Sequence, residues 1–261
     1  MNMRLMQCQR SMTPCLVLSF VAALLSGSQL SLADAPLAVF PSFRVEIDLF
    51  EGDAKVPQSQ HLILFDAGVV YDLPVGKDSI ISVFDAPRGR VVLVHKATRV
   101  RTSISTDTLV KMSAETRAEA AKKGRGDKLG LNAKVVPGAN PDTYVVEFND
   151  NRYEATAQTV KDPLIAAEFA SFTAWASRLN IARHVGSPPF ARIALADHFA
   201  AENAIPRQVM LEVRRNFKTR TFRADHLVIE RLSELDRQKI AEAGGMVATF
   251  EEVSFAEFPS E

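Results

Sequence analysis

The chain has 261 residues and carries 31 basic and 31 acidic side chains, so its formal net charge at pH 7 is zero. Such a chain has no global electrostatic field to draw it to nucleic acid or to an anionic membrane, and nucleic-acid binding is not expected. Both cysteines, Cys8 and Cys15, lie near the start, so the rest of the chain has no thiol for a disulfide or a metal ion.

Residues 1–33 have the pattern of a secretory signal peptide. Arg4 and Arg10 supply positive charge, an apolar run follows at 16–25, and small residues end the segment. The apolar run is about half of the roughly 20 residues that a membrane-spanning helix needs. The pattern predicts cleavage before Asp34, export to the periplasm or the extracellular space, and no stable membrane span afterwards.

Several short apolar segments in the first half of the chain predict β-strands. The segment FRVEIDLF alternates apolar and polar residues, as a half-buried strand does. The predicted strands are 43–50, 61–65, 69–73, 79–84, 90–94 and 99–105. Connections of a few residues leave no room for helical crossovers, so neighbouring strands should pair antiparallel as a meander of hairpins.

Two similar motifs, FDAG at 65–68 and FDAP at 84–87, raise the question whether Asp66 and Asp85 form a catalytic pair. Both follow strands that end at the same end of a meander, two strand spacings or about 10 Å apart. A carboxylate pair that shares a proton needs contact near 3 Å. The spacing therefore predicts two turns, with aspartates that bond backbone amides and glycines at positive φ.

Helical patterns and further hairpins fill the second half of the chain. Helices are predicted at 106–123, from Pro163 after the N-cap Asp162, from Pro189 to an end enforced by Pro206, and from Ser233 to about Phe250. Hairpins are predicted for 143–148 with 152–160 and for 208–217 with 221–232. The polar loop 124–142 is the best candidate for a mobile segment, and the acidic end 251–261 for a loose tail. Residues 34–250 would form a single α+β domain.

Motifs for catalysis or metal binding are missing from the sequence. The five histidines are scattered, none has the i, i+4 spacing of a helical metal site, and no nucleophile motif is present. The adjacent pairs Asp197–His198 and Asp225–His226 should point apart on a regular element. No catalytic residue, metal site or cofactor is therefore predicted, although a hydrolase stays open if His and Asp or Ser converge. The tripeptide Arg125-Gly126-Asp127 is interpreted as an exposed polar loop.

A basic strand segment, RVRTSIS at 99–105, is a candidate interaction surface. Alternation places Arg99 and Arg101 on one strand face with Ser103 and Ser105. This face would bind an anionic headgroup or a partner, or it is a solvated face balanced by acidic residues of the tail or by Glu46 and Asp48.

The order of elements resembles a known family. The segments FRVEIDLF, LILFDAGVVYDL, SIISVFDAPRGRVVLV and KATRVRTSIS, followed by a helix, a hairpin and a helix pair, are similar to the half-barrel of outer-membrane lipoprotein carrier and related periplasmic lipid-binding proteins. The chain also resembles uncharacterised exported bacterial proteins. The carrier resemblance implies a curved antiparallel sheet with helices packed on its concave face and an apolar cleft for acyl chains.

The leading functional hypothesis is an exported, non-enzymatic protein that binds an apolar or lipid-like ligand between sheet and helices. Aromatic residues on the helix pair are the predicted lining: Phe169, Phe172, Trp175, Phe190 and Phe199. Aromatic residues at helical spacing also fit simple core packing. The alternative hypothesis is a cell-envelope interaction or scaffold module that has no small-molecule ligand.

Overall fold

The computed structural model describes residues 40–76, 80–186, 189–215 and 217–259, and the predicted signal peptide lies outside these ranges. The described residues form twelve strands and four α-helices, which confirms an α+β fold. The strands are β1 (Phe43–Glu51), β2 (Ser59–Asp66), β3 (Val69–Pro74), β4 (Ile80–Asp85), β5 (Arg90–His95), β6 (Val100–Ser105), β7 (Val135–Pro137), β8 (Thr143–Phe148), β9 (Asn151–Thr159), β10 (Ala204–Arg215), β11 (Lys218–Ile229) and β12 (Glu251–Glu252). The helices are α1 (Thr106–Lys122), α2 (Pro163–Arg183), α3 (Pro189–Ala201) and α4 (Glu234–Thr249).

All twelve strands of the described chain belong to one open sheet. Strands β1 to β6 form its first meander, and β7 to β11 form its second. Its order is β12-β6-β5-β4-β3-β2-β1-β11-β10-β9-β8-β7. The pairing of β1 with β11, in which Ile47 lies opposite His226, joins the meanders. All pairs are antiparallel except the short parallel pair of β12 with β6. The predicted antiparallel meander is confirmed.

Helices pack on both faces of the sheet. On one face, which we call the α2 face, α1 and α2 bury an aromatic core in which the rings of Phe43 and Phe65 stack at 4.0 Å between centroids. Helix α3 packs beside α2 over β8 and β9. On the opposite face, the α4 face, Met246 and Phe250 cover aliphatic residues of β4 and β5. Strands buried on both faces need continuous apolar sequence, which β4 and β5 have.

The helix ends follow the predicted capping residues. Asp162 accepts a hydrogen bond from the backbone N–H of Leu164 at 2.9 Å, with Pro163 in the first helical position. Ser233 and Asp236 form a reciprocal capping box at the start of α4. A cap of this kind contributes about 1 kcal/mol to helix stability.

Pro206 was wrongly expected to end the third helix. Helix α3 already ends at Ala201, and Pro206 is a buried residue of β10. The register of β10 against β9 shifts between Pro206 and Gln208, which marks a bulge. A proline has no N–H to donate, and a bulge tolerates this loss within a sheet.

The turns after β2 and β4 confirm part of the prediction for the two FDA motifs. Gly68 and Gly89 have φ of +75° and +58°, and Val69 pairs with Asp66 on one side and Asp85 on the other. The two aspartates therefore lie at the same end of the sheet, two strands apart, as two turns.

The prediction that Asp66 and Asp85 accept hydrogen bonds from backbone amides is wrong among the described residues. Asp66 accepts from the Ser42 hydroxyl at 2.7 Å, and Asp85 accepts from Arg88 and Arg90 at 3.1 and 3.2 Å. At Asp85 the two guanidinium groups are stronger donors to the carboxylate than neutral amides, because both partners are charged.

The polar loop 124–142 packs against α3. A short 3₁₀ turn at Asp127–Leu129 follows its start, and β7 pairs with β8. Gly130 has φ of +70°, and a Cβ added there would lie 2.9 Å from the Cβ of Ala191. This glycine is required both by its backbone conformation and by the close approach of α3. The charged residues of the Arg-Gly-Asp tripeptide, Arg125 and Asp127, are exposed as interpreted from the sequence, and the Asp127 carboxylate accepts from Asn132 at 3.4 Å.

The acidic C-terminal stretch pairs with the sheet edge. Glu252 forms an ion pair of 2.9 Å with Arg101, whose Nε also donates to the carbonyl of Phe250. Phe255 and Phe258 then pack against the core of the α2 face. The basic face of β6 is therefore balanced by the acidic tail, one of the two interpretations of the sequence.

Candidate ligand-binding cavity

A cavity of about 410 Å³ lies between the sheet and the helix pair α2–α3. Its floor is formed by strands of both meanders, from β1 to β4 and from β9 to β11. Its apolar lining includes Phe169, Phe172, Leu195, Phe199, Leu211 and Phe222. The volume falls within the range of about 300–1,000 Å³ that is typical of small-molecule sites.

The cavity arises where the helices leave inward-facing apolar residues of β10 and β11 uncovered. Val209, Leu211, Phe222 and Ala224 line the cavity, and each is only partly buried. Register explains their common direction, because Val209 lies opposite Ala224 and Leu211 opposite Phe222. Apolar side chains that face inward and still touch open space form a surface that an apolar ligand can bury.

Three of the five predicted lining residues are brought together at this cavity. Phe169, Phe172 and Phe199 line it. Phe172 also packs edge-to-face on Phe84, with ring centroids 5.3 Å apart. These rings therefore serve the core and the cavity wall at once, since one edge is packed and the other faces the open space.

The other two predicted lining residues lie elsewhere. Phe190 is only 4% exposed, and the Arg117 guanidinium lies 4.7 Å from its ring centroid. Trp175 is partly buried at the edge of the α2-face core, with the Arg178 guanidinium at the same distance from its ring. Neither residue is among those that line the cavity. Helical spacing places these rings near the sheet but does not determine which of them meet open space.

His226 is a polar residue in the wall formed by β11. Burial, with a smaller contribution from the charge of Arg192, lowers the pKa of His226 to about 4, so the imidazole is neutral at pH 7. The carbonyls of Ala224 and Arg207 slightly favour its protonated form, but the buried Nδ1 makes no hydrogen bond of good geometry within the described chain. The ring edge packs on Phe169 at 5.9 Å between centroids.

Asp225, the neighbour of His226 in sequence, points away from the cavity wall. Its carboxylate accepts a hydrogen bond from Gln208 at 2.8 Å, whereas His226 lines the cavity. The prediction that these adjacent residues point apart is confirmed.

A histidine–aspartate pair in the cavity wall was missed by the sequence analysis. His61 Nδ1 lies 2.7 Å from Asp72 Oδ1, and both residues line the cavity. Hairpin register contained the signal: Ile63 lies opposite Asp72, so His61 is the diagonal neighbour of Asp72 on the same face. The two residues are 11 positions apart and form no sequence motif, but the tight DAG turn sets the register that brings them into contact.

The pair does not extend to a serine–histidine–aspartate triad. Ser82 also lines the cavity, but it lies opposite Asp72 on β4. Asp72 therefore stands between the serine and the histidine, whose strands are two spacings, about 10 Å, apart. A triad requires the imidazole between nucleophile and carboxylate. Within the described ranges, no group of three His, Cys, Asp or Glu residues is placed to hold a metal ion.

The fold and the site together define an α+β protein with an internal, mainly apolar cavity. Sequence comparison gives no closer assignment: no protein-family model matches the chain, and no curated protein matches it significantly.

Proposed function

We propose that this chain is an exported, non-enzymatic protein that binds an apolar or lipid-like ligand between the sheet and helices α2 and α3. The cavity of about 410 Å³, with partly exposed apolar residues along β10 and β11, carries the proposal. In this view the sheet curves around the ligand, and α1, α2 and α3 cover its concave face.

Burial of apolar surface supplies the binding free energy in this proposal. Each Å² of apolar surface that a ligand removes from water contributes about 25 cal/mol, and both ligand and wall contribute area. The site is largely preformed, because Phe169 and Phe172 are held by ring contacts with Phe65 at 6.4 and 5.8 Å. A rigid wall loses little conformational entropy on binding, which favours affinity.

Export follows from the proposed signal peptide at 1–33, as in the periplasmic lipid carriers that the chain resembles. Among the described residues, no helix is long and apolar enough to cross a membrane. The resemblance to lipid carriers and the predicted export agree with a protein that takes an apolar ligand through an aqueous compartment.

The interaction-module hypothesis has less support from the described surface. The basic side chains of its candidate face at 99–105 already have partners in the chain, since Arg101 pairs with Glu252 and the Arg99 guanidinium lies 5.0 Å from the ring centroid of Phe250. The cavity therefore remains the stronger candidate site.

Titration with Nile red, a neutral apolar dye, tests the proposal. The protein is expected to bind it with one site per chain, and native mass spectrometry of gently purified protein is expected to show a co-purified ligand. Ala224→Phe and Ala176→Phe each place a ring in the cavity and should weaken dye binding at least tenfold. Both alanines line the cavity and are partly buried, so a ring has space there.

The matched control is Met210→Phe, on the opposite face of β10. It should leave Nile red affinity unchanged, and urea unfolding confirms that all variants fold. A wild-type protein that binds no dye and carries no ligand, or equal binding by the cavity and control variants, would contradict the proposed function.

A further inference from the structure

Two arginines of the cavity lining have no acidic partner in the described part of the chain. Arg183 lies in the last turn of α2 and Arg192 in the first turn of α3, and both are partly buried. No carboxylate of the described residues lies within 4.0 Å of either guanidinium. The third arginine of the lining, Arg223, is paired, since its Nε lies 3.1 Å from Asp225 Oδ2.

The acidic residues of the chain do not neutralise these two charges. Asp72 is the only acidic side chain among the described lining residues, and its carboxylate is engaged by His61 at 2.7 Å. His226 is held neutral by burial and adds no charge. The cavity therefore combines an apolar wall with an excess of positive charge.

Arg183 and Arg192 lie beside an exposed part of the cavity lining. They flank the connection between α2 and α3, in which Val185 lines the cavity and is 47% exposed. The charge of Arg192 reaches the wall of β11, since it helps to lower the pKa of His226. A guanidinium in a partly desolvated site is costly unless an anion accepts its hydrogen bonds, and arginine pairs bidentately with carboxylates and phosphates.

We propose that the ligand is an anionic amphiphile whose carboxylate or phosphate head binds Arg183 and Arg192 and whose apolar chain lies along Phe169, Phe172, Leu211 and Phe222. This inference rests on the proposed function and adds the class of ligand and its orientation. The head lies at the α2–α3 connection, and the chain extends between helices and sheet.

Competition against Nile red separates the head from the chain. The competitors are palmitate, hexadecyl phosphate, hexadecanol with the same chain and no charge, and inorganic phosphate with no chain. Palmitate or hexadecyl phosphate should bind at least tenfold more tightly than hexadecanol, and inorganic phosphate should not displace the dye. The better of the two anionic competitors identifies the head.

The double variant Arg183→Gln/Arg192→Gln should reduce the affinity for the anionic competitors to that of hexadecanol, with each competitor affinity corrected for the Nile red affinity measured on the same variant. Arg183→Lys/Arg192→Lys keeps the charges and should keep most of the preference. The control Arg125→Gln/Arg215→Gln removes two exposed arginines outside the cavity and should behave as wild type. Net charge is then matched between test and control.

Failure of this inference differs from failure of the proposed function. Equal affinity for palmitate, hexadecyl phosphate and hexadecanol, a preference that survives the Gln double variant, or displacement by inorganic phosphate alone would overturn the anionic amphiphile while leaving the apolar site. Absence of binding by Nile red and every long-chain compound would overturn the proposed function itself.

Discussion

Strands β4 and β5 differ from β10 and β11 in how the helices cover them. All six residues of β4 and the four central residues of β5 are buried, because helices pack on both faces. In contrast, no residue of β11 is fully buried, and in β10 only the first three are. The open space lies on the α2 face of this second pair.

The difference indicates that the cavity exists because the helices cover β10 and β11 incompletely, and not because the strands themselves have an irregular structure. The α4-face cluster of described residues includes β3, β4 and β5 but no residue of β10 or β11. On that face β10 and β11 carry polar side chains that water can solvate, such as Gln208, which donates a hydrogen bond to Asp225. An antiparallel sheet tolerates one solvated face, so the second meander can leave room on the inner face without losing its register.

The largest expected effect separates the two strand pairs directly. Leu93 of β5 is 1% exposed, and Leu93→Ala should lower the free energy of unfolding by about 2–5 kcal/mol because it leaves a cavity in a dry core. Leu211→Ala removes the same atoms from a wall that already faces open space. Its cost should be below about 1.5 kcal/mol, near the transfer term alone.

Urea unfolding of both leucine variants at equal pH provides the measurement. Wild-type slopes against denaturant would confirm that only stability changed. Equal losses for Leu93→Ala and Leu211→Ala would mean that the β10–β11 wall is as tightly packed as β5, which would contradict the cavity.

Acidification should act on the cavity wall through His226. Its pKa is about 4 in the folded protein and about 6.5 when unfolded, so between these values only the unfolded state takes up the proton. The neutral imidazole therefore makes its full contribution to the free energy of unfolding above about pH 6.5. This contribution, up to about 3 kcal/mol, is lost as the pH falls toward 4. His226→Gln should remove that part of the pH dependence.

The control for this prediction is His184→Gln at the exposed C-terminal end of α2. It should retain the wild-type pH dependence of the unfolding free energy between pH 6.5 and 4. The same slope for His226→Gln and wild type would show that the imidazole is solvated, and the wall at β11 would then be open to water.

The sequence predicted local structure better than it predicted the site. Alternation, capping residues such as Ser233, and turn glycines such as Gly68 are determined by neighbours along the chain. The cavity depends on the pairing of β1 with β11 across more than 160 residues and on the gap beneath α3. Helical spacing identified Phe169, Phe172 and Phe199 but could not separate them from Phe190, because all five predicted rings share the same local pattern.

The polar residues of the site were missed for a related reason. His61 and Asp72 meet through hairpin register, and His226 reaches the wall through the strand pair that joins the two meanders. Neither arrangement produces a short motif. A register drawn from the DAG turn would have identified the first pair, whereas the second required the sheet order.

The N-terminal cap of α4 tests how the doubly covered strands are maintained. Burial alone raises the pKa of Asp236, but hydrogen bonds from Ser233 and the charge of Arg44 outweigh it and hold this pKa below its usual value. Asp236→Asn should cost about 2 kcal/mol at pH 7, since it weakens the cap and leaves Arg44 without its buried partner.

The pH effect of Asp236 has the same direction as that of His226, since both folded pKa values are lowered, but here acid removes a charge from the folded protein. The stabilisation by Asp236 is present above its unfolded pKa of about 4 and is lost as the pH falls through the folded value. The difference in free energy of unfolding between wild type and Asp236→Asn should therefore disappear in acid. Hydrogen exchange should accelerate in β4 and β5 but not in β10 and β11, whereas Glu234→Gln, at an exposed site in the same turn, should change little.

The smallest expected effect concerns the edge at which β12 joins the first meander. Arg101 is mostly buried and Glu252 is about half exposed, so their ion pair of 2.9 Å is only partly screened by water. Arg101→Gln should cost about 0.5–1 kcal/mol and should increase cleavage after Phe250 in limited proteolysis. Lys111→Gln, which breaks a fully exposed pair with Glu115, should cost less and leave proteolysis unchanged. If the tail remained protected in Arg101→Gln, the anchor would be Phe255 and Phe258 against the α2-face core, and apolar packing would hold the sheet edge as it holds β4 and β5.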